Sequence, residues 1–289
     1  MKYDFVLTLP PFTFAIKNSI KFVYDNAKRI YADAFVDASI HDDFIDFSVS
    51  ITDGGGLRGL VKPQARFFCD DREPFKPLDF SQAYALLEWG MNWAVAAHEF
   101  SYVIIHSAVL AKDGKAVLFP APPGSGKSTL TAYLSQNGWR LLSDEMALIT
   151  PHTKTVTPFV RPICLKNNSI DLVKSWYPEQ RFSSIARDTH KGDVVHMAPS
   201  KQALAANTET AEIVGVVFPN YKPETQLDIY QLNMVEAYMQ LVDNAFNFIA
   251  LGEPAFDTVT QLIENTKTFE IFYNDLQEVN AFLLEDVLT

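Results

Sequence analysis

Residues Ala121, Pro122, Pro123, Gly124, Ser125, Gly126, Lys127, Ser128 and Thr129 follow one another, and their types suit a loop that holds phosphate groups. In such a loop glycines let successive backbone N–H groups converge on anion oxygens, a lysine reaches the outer phosphates, and a hydroxyl meets Mg²⁺. Gly124, Gly126, Lys127 and Ser128 fill those roles, and Pro123, Ser125 and Thr129 complete the expected phosphate-binding stretch. The pattern asks for a further glycine where Ala121 stands. Alanine disfavours positive φ, so an ordinary backbone is expected there, helped by the fixed φ of Pro122 and Pro123.

The elements needed to position this loop are legible around it. Lys115 to Pro120 is a short apolar run of the kind that forms a buried strand, and it ends where the loop begins. After the loop, Leu130, Tyr133 and Leu134 share one helical face, and Asn137-Gly138 is a helix-stop signal. A helix that starts at the loop adds its N-terminal dipole to the anion site. Upstream, Tyr102 to Ile105 and Ala108 to Leu110 read as a strand that Asp113-Gly114 turns back into the strand feeding the loop.

One helix after the loop, Arg140 to Ser143 predicts a strand ending in two adjacent carboxylates, Asp144 and Glu145. Carboxylates can hold the Mg²⁺ that bridges phosphates, and one can accept the proton of an incoming hydroxyl. His106, on the strand before the loop, titrates near neutrality and could contact phosphate or tune Asp144. Arg161, Lys166 and Lys191 are further cations for nucleotide or acceptor charge, Arg161 through its planar fork. The polar run from Arg187 to Asp193 is expected to be a mobile lid. Trp89, Trp93, Phe246 and Phe248 are expected to pack rather than to stack on a base.

The short distance from loop to acids, with His106 ahead of the loop, resembles the HPr kinase/phosphorylase catalytic domain, which shares its loop arrangement with the PEP carboxykinases. The string from Ile105-His106 to Asp144-Glu145 is most similar to the branch called HPr kinase-related kinase A. Glu88 to Trp93, Arg161 to Asn167, Thr189 to Gly192, Phe218-Pro219 and Ala245 to Asn247 resemble that branch too. The resemblance implies an α/β fold of the P-loop kinase, HPr kinase/PEP carboxykinase-like type, with ATP and Mg²⁺ as cofactors. It also implies Asp144 as general base toward an acceptor hydroxyl, with Glu145 and Ser128 at the metal. Family members that run the reaction both ways carry Asp-Asp, where this chain has Asp-Glu.

With 289 residues, 48% hydrophobic and 13% aromatic, the chain can bury a substantial core. A formal net charge of -11 argues against non-specific binding to a nucleic-acid backbone. Cys69 and Cys164 lack zinc-ligand spacing. The apolar stretch 91–111 is broken by Asn92, His98, Glu99 and His106, so no membrane span is expected, and a cytoplasmic location is. Strands joined by turns are expected over 1–75, with Gly54-Gly55-Gly56 as a turn, and a helix over about 80–100. The expected division is a β-rich domain over 1–90 and a catalytic domain over 91–289. The expected activity is Mg²⁺-dependent transfer of the ATP γ-phosphate to a protein serine or small-molecule hydroxyl, with homo-oligomerisation left open. The alternatives are a nucleotide-binding regulator or scaffold, and a phosphorylase or phosphatase running the reverse reaction.

Overall fold

The computed structural model describes residues 4–38, 44–54 and 62–289. It is a mixed α/β protein that divides into two compact units, residues 1–98 with 162–199 and residues 99–161 with 200–289. Of the glycine turn expected at 54–56, Gly55 and Gly56 lie outside the described residues, and the Gly54 N–H donates to Gln64 O at 2.8 Å.

The first unit opens with strands β1 (Phe5–Leu9) and β2 (Phe12–Asn18), helix α1 (Lys21–Tyr31), and strands β3 (Phe35–Asp37), β4 (Phe47–Asp53), β5 (Gln64–Cys69) and β6 (Leu78–Asp79). The strands form one sheet in the order β3-β1-β2-β4-β5-β6, antiparallel except for the β2–β4 pair. Helix α1 interrupts the run of strands expected over 1–75. Val23, Ala27, Ile30 and Tyr31 recur with helical spacing on its buried side, and that period overrides the surrounding strand pattern. Helix α2 (Ala83–His98) follows and is buried along most of its length. Gly90 lets it lie close over β5, since a Cβ there would come 2.2 Å from the Phe67 ring. The boundary expected at 90/91 falls inside this helix, and the chain instead changes units after His98.

The second unit continues with β7 (Val103–Lys112), β8 (Lys115–Pro120), α3 (Lys127–Gln136), β9 (Arg140–Ser143), β10 (Met146–Ile149) and β11 (Thr155–Thr157). Next, β12 (Ile163–Lys166), α4 (Asn168–Trp176), β13 (Ala186–Thr189) and β14 (Gly192–Met197) return to the first unit, where the strands form a small sheet in the order β12-β14-β13. Residues 162–199, expected within 91–289, thus group with the first unit. The second unit ends with α5 (Lys201–Ala205), β15 (Ala211–Tyr221), β16 (Asp228–Gln231), α6 (Met234–Asp243), α7 (Phe248–Leu251), α8 (Glu253–Asn265), β17 (Lys267–Tyr273) and α9 (Leu276–Phe282).

Its sheet runs β11-β10-β7-β8-β15-β17-β16, with β9 also on β7 and β11 also on β15. Strand β8 is parallel to β15, and β15 to β17. Strand β7 is the organising element. One edge pairs with β8, with Ser107 opposite Pro120. The other pairs with β10 at His106 opposite Met146 and with β9 at Val109 opposite Ser143. Among the described residues no helix is long and apolar enough to cross a membrane.

Candidate functional site

Two interruptions of regular pairing face each other across β7. On one edge the chain leaves β8 at Pro120, the partner of Ser107, and enters the 121–126 loop. On the other, Asp144 and Glu145 fill the gap between β9 and β10, and the Ser107 N–H donates to Glu145 O at 3.2 Å. The loop stem and the acids are thus fixed to neighbouring residues of one buried strand.

The loop has the backbone its glycines predict. Gly124 and Gly126 have φ of 92° and 87°, while Ala121 keeps a negative φ. Gly126 is the N-cap of α3, so the first N–H groups of that helix, which have no intrahelical acceptors, project from the loop. Two tyrosines hold the loop from outside. The Tyr221 N–H donates to Ser125 O at 2.9 Å and the Tyr273 hydroxyl to Gly126 O at 3.4 Å. A Cβ on Gly126 would come 2.7 Å from Tyr221 Cβ and 2.8 Å from the Tyr273 oxygen. Burial pushes the Tyr273 phenol well above its ordinary pKa, so it stays protonated and able to donate.

The side chains at this point are polar and largely enclosed. Lys127 is 9% exposed and Asp144 1% exposed. Lys127 Nζ lies 3.3 Å from His106 Nε2. An ammonium only donates, so Nε2 is the accepting atom where the two hydrogen-bond. The Ser128 hydroxyl donates to Asp144 Oδ2 at 3.4 Å. Ser125 Oγ is buried without a hydrogen-bond partner in the protein, a position that costs free energy until a ligand or water meets it. Glu145 is partly exposed.

His106 is itself positioned by a segment beside the start of β7. Its N–H donates to Asn244 O at 2.7 Å, and the Phe246 N–H donates to Ile104 O at 2.9 Å. Buried Asn247 anchors the segment, accepting from the Ile104 N–H at 3.0 Å and donating to Tyr102 O at 2.8 Å. The half-exposed Phe246 ring then stands 5.6 Å from the His106 ring.

Arg161 is buried at the end of the first stretch of this unit, with its guanidinium 5.3 Å over the Phe159 ring. Phe159 N–H donates to Leu142 O, two residues before Asp144. Lys166 and Lys191 belong to the first unit. There Lys191 Nζ lies 5.2 Å over the Trp89 ring, against which His190 also packs at 4.9 Å. Partial burial, then Lys191 and Lys166, hold the His190 pKa below its usual value.

The segment expected to be a lid is a tied β-hairpin. The Thr189 hydroxyl donates to Gly192 O at 2.6 Å and accepts from the Lys191 N–H at 3.0 Å, and the Asp188 N–H donates to Asp193 at 3.0 Å. Trp89 packs in the interior as expected.

Sequence reasoning did not nominate Tyr221, Tyr273, Asn247 or Ser107 for this site. Tyr221, Tyr273 and Ser107 act through pairing between strands and Asn247 through its side-chain amide at the start of β7, and no local spacing marks any of them. Among the described residues no group of three or more His, Cys, Asp or Glu side chains is set to hold a metal ion. A metal at Ser128 and one carboxylate would need phosphate oxygens and water to complete its shell, which is usual for Mg²⁺ bound with a nucleotide. The unpartnered Ser125 hydroxyl and the open space around Gly124, where a Cβ would meet nothing within 4 Å, fit such an anionic group. Compared with protein-family models and with curated protein sequences, the chain matches none.

Proposed function

We propose that the second unit is the catalytic part of an Mg²⁺-dependent ATP phosphotransferase of the HPr kinase-like type, acting on a protein serine or small-molecule hydroxyl. The observation that supports it best is the meeting of Lys127 with His106 and of Ser128 with Asp144 at the start of α3. Binding a nucleotide requires only the loop. A buried carboxylate directed at the loop hydroxyl goes beyond that requirement.

The chain's own groups divide the work as follows. N–H groups from Gly124 to Thr129 line the phosphates, with Pro123 holding the loop's entry, and Ser125 Oγ offers one more hydrogen bond. Lys127 exchanges its contact with His106 for an outer phosphate oxygen, and His106 keeps the ammonium aimed until then. Arg161 adds fixed positive charge near the strand that carries Asp144. Ser128 and a carboxylate would hold Mg²⁺, which would neutralise phosphate charge. Asp144 receives the acceptor's proton, with Glu145 at the metal.

The Ser128–Asp144 contact favours a second assignment within the same reaction, in which Asp144 joins Ser128 at the metal and the more exposed Glu145 takes the proton. The test is incubation with radiolabelled ATP, Mg²⁺, and free serine or serine peptides, using wild type, Asp144→Asn and Glu145→Gln. The metal-side variant raises the Mg²⁺ concentration needed for half-maximal nucleotide binding, whereas the base variant lowers only the transfer rate. Nucleotide binding with no labelled product in wild type identifies a regulator instead. Both cysteines are buried and free, which suits the reducing cytoplasm.

A further inference from the structure

Between Lys222 and Lys267 the chain has seven Asp or Glu residues and no lysine, arginine or histidine. This stretch includes α6, α7 and α8, whose inward faces bury Ala237, Leu241, Ala255, Val259 and Leu262 in the core of the second unit. Their outward side mixes exposed apolar and acidic side chains. Ile249 is 95% exposed and Val235 72%, and Met234, Met239, Phe246 and Phe256 are each exposed by half or more. Tyr238 of α6 joins the three helices, its ring 6.4 Å from that of Phe248 and 5.8 Å from that of Phe256. Around the apolar positions stand the exposed carboxylates Glu236, Asp243, Glu253 and Asp257; Asp257 lies 3.7 Å from His152 Nδ1.

Exposed large apolar side chains set among charged ones mark an interaction surface. The charge selects among occupants. A second copy meeting this face with its own would bring carboxylates together, and an anionic lipid surface or nucleic acid would be repelled. An apolar segment carrying lysines or arginines satisfies both the hydrophobic side chains and the acidic rim, and the flexible Met234 and Met239 suit an adaptable contact.

We infer that the outward face of α6, α7 and α8 docks a cationic amphipathic helix of a partner protein. Phe246, exposed between α6 and α7, packs on His106, whose Nε2 lies 3.3 Å from Lys127 Nζ. That this partner is also the phosphate acceptor rests on the phosphotransfer proposal, whereas the docking does not.

The test uses the full chain without nucleotide and a fluorescein-labelled leucine–lysine amphipathic helix of about five turns, followed by anisotropy. Saturable binding is expected, weakening as salt is raised. The pair Ile249→Ser and Val235→Ser should weaken it about tenfold or more through lost apolar contact. The pair Glu236→Lys and Asp243→Lys should weaken it about tenfold at low salt and flatten the salt dependence. Unfolding midpoints of the variants check that each still folds.

The inference is overturned if the helix does not bind, if a leucine–glutamate helix of equal length binds as well, or if folded variants bind like wild type. Self-association of wild type that Ile249→Ser abolishes also overturns it, in favour of a second copy. Docking without labelled product on a serine-bearing helix would leave this inference intact and count against phosphotransfer.

Discussion

Lys127 and Lys191 each adjoin a glycine at positive φ, Gly126 at 87° and Gly192 at 83°, yet their surroundings differ in kind. Lys127 is enclosed, beside His106, at the start of a helix whose next residue contacts a buried carboxylate. Lys191 lies over the face of Trp89 in a hairpin tied by Thr189 and Asp193. The first cation is surrounded by groups that can exchange partners when an anion arrives. The second has an aromatic contact that holds its stem and charge in place. The two glycine–lysine neighbourhoods thus share a backbone and differ in surroundings: only at Lys127 does the next helical residue meet a buried carboxylate.

The largest expected effect tests the enclosed lysine. Lys127→Ala should lower phosphate transfer about 10³-fold or more, as loss of a fixed cation at a transferring phosphoryl group does, measured as labelled product per unit time. Asp144→Asn should follow, at about 10²–10⁴-fold, if that carboxylate accepts the proton. A small drop for Asp144→Asn with a large one for Glu145→Gln would exchange their roles.

The two loop glycines sharpen the contrast within the site. Both need positive φ, but only Gly126 is crowded, by Tyr221 and Tyr273. Gly124→Ala should cost about 1–2 kcal/mol from backbone strain. Gly126→Ala should cost about 2–5 kcal/mol, since overpacking adds to that strain, as read by urea unfolding. Equal costs would mean that the tyrosines yield. The smallest effect is on the other lysine. Lys191→Gln should reduce stability by about 0.5–1 kcal/mol through the lost contact with Trp89 and leave the apparent ATP affinity unchanged. A tenfold weaker ATP affinity would instead make Lys191 a phosphate-binding cation.

Much of the second unit was legible because its signals are local. The apolar run 115–120, the glycines, the helical face of Leu130 and Leu134, and the Asn137-Gly138 stop lie within one strand–loop–helix passage, and α3 ends at Gln136 as they require. The strand at 140–143 with acids after it was legible for the same reason.

Helix α1 was not, because it lacks a capping side chain at Ile20 and an acidic first turn, leaving only its buried period to announce it among strands. The return of 162–199 to the first unit was illegible as well. No linker composition marks it, and β12 and β14 differ from other apolar runs only in what they pair with. Tyr273 illustrates the limit at the level of one residue. It ends a strand 147 positions beyond Gly126, whose carbonyl it reaches, and only the parallel pairing of β15 and β17 beside β8 brings the two together.

The placement of loop and acids on opposite edges of β7 bears on what insertions the chain tolerates. Adjacent strands lie about 4.8 Å apart, so the span from the stem at Pro120 to the break at Asp144 is set by lateral strand spacing rather than by the length of chain between them. Extra residues at the exposed Asn137-Gly138 turn between α3 and β9 can bulge outward without altering that span. A single residue added to β7 between Ser107 and Val109 would shift the acids against the loop by one pleat and turn a side chain to the wrong face. Tolerance to length change should therefore be higher in that exposed turn than in these few residues of the strand.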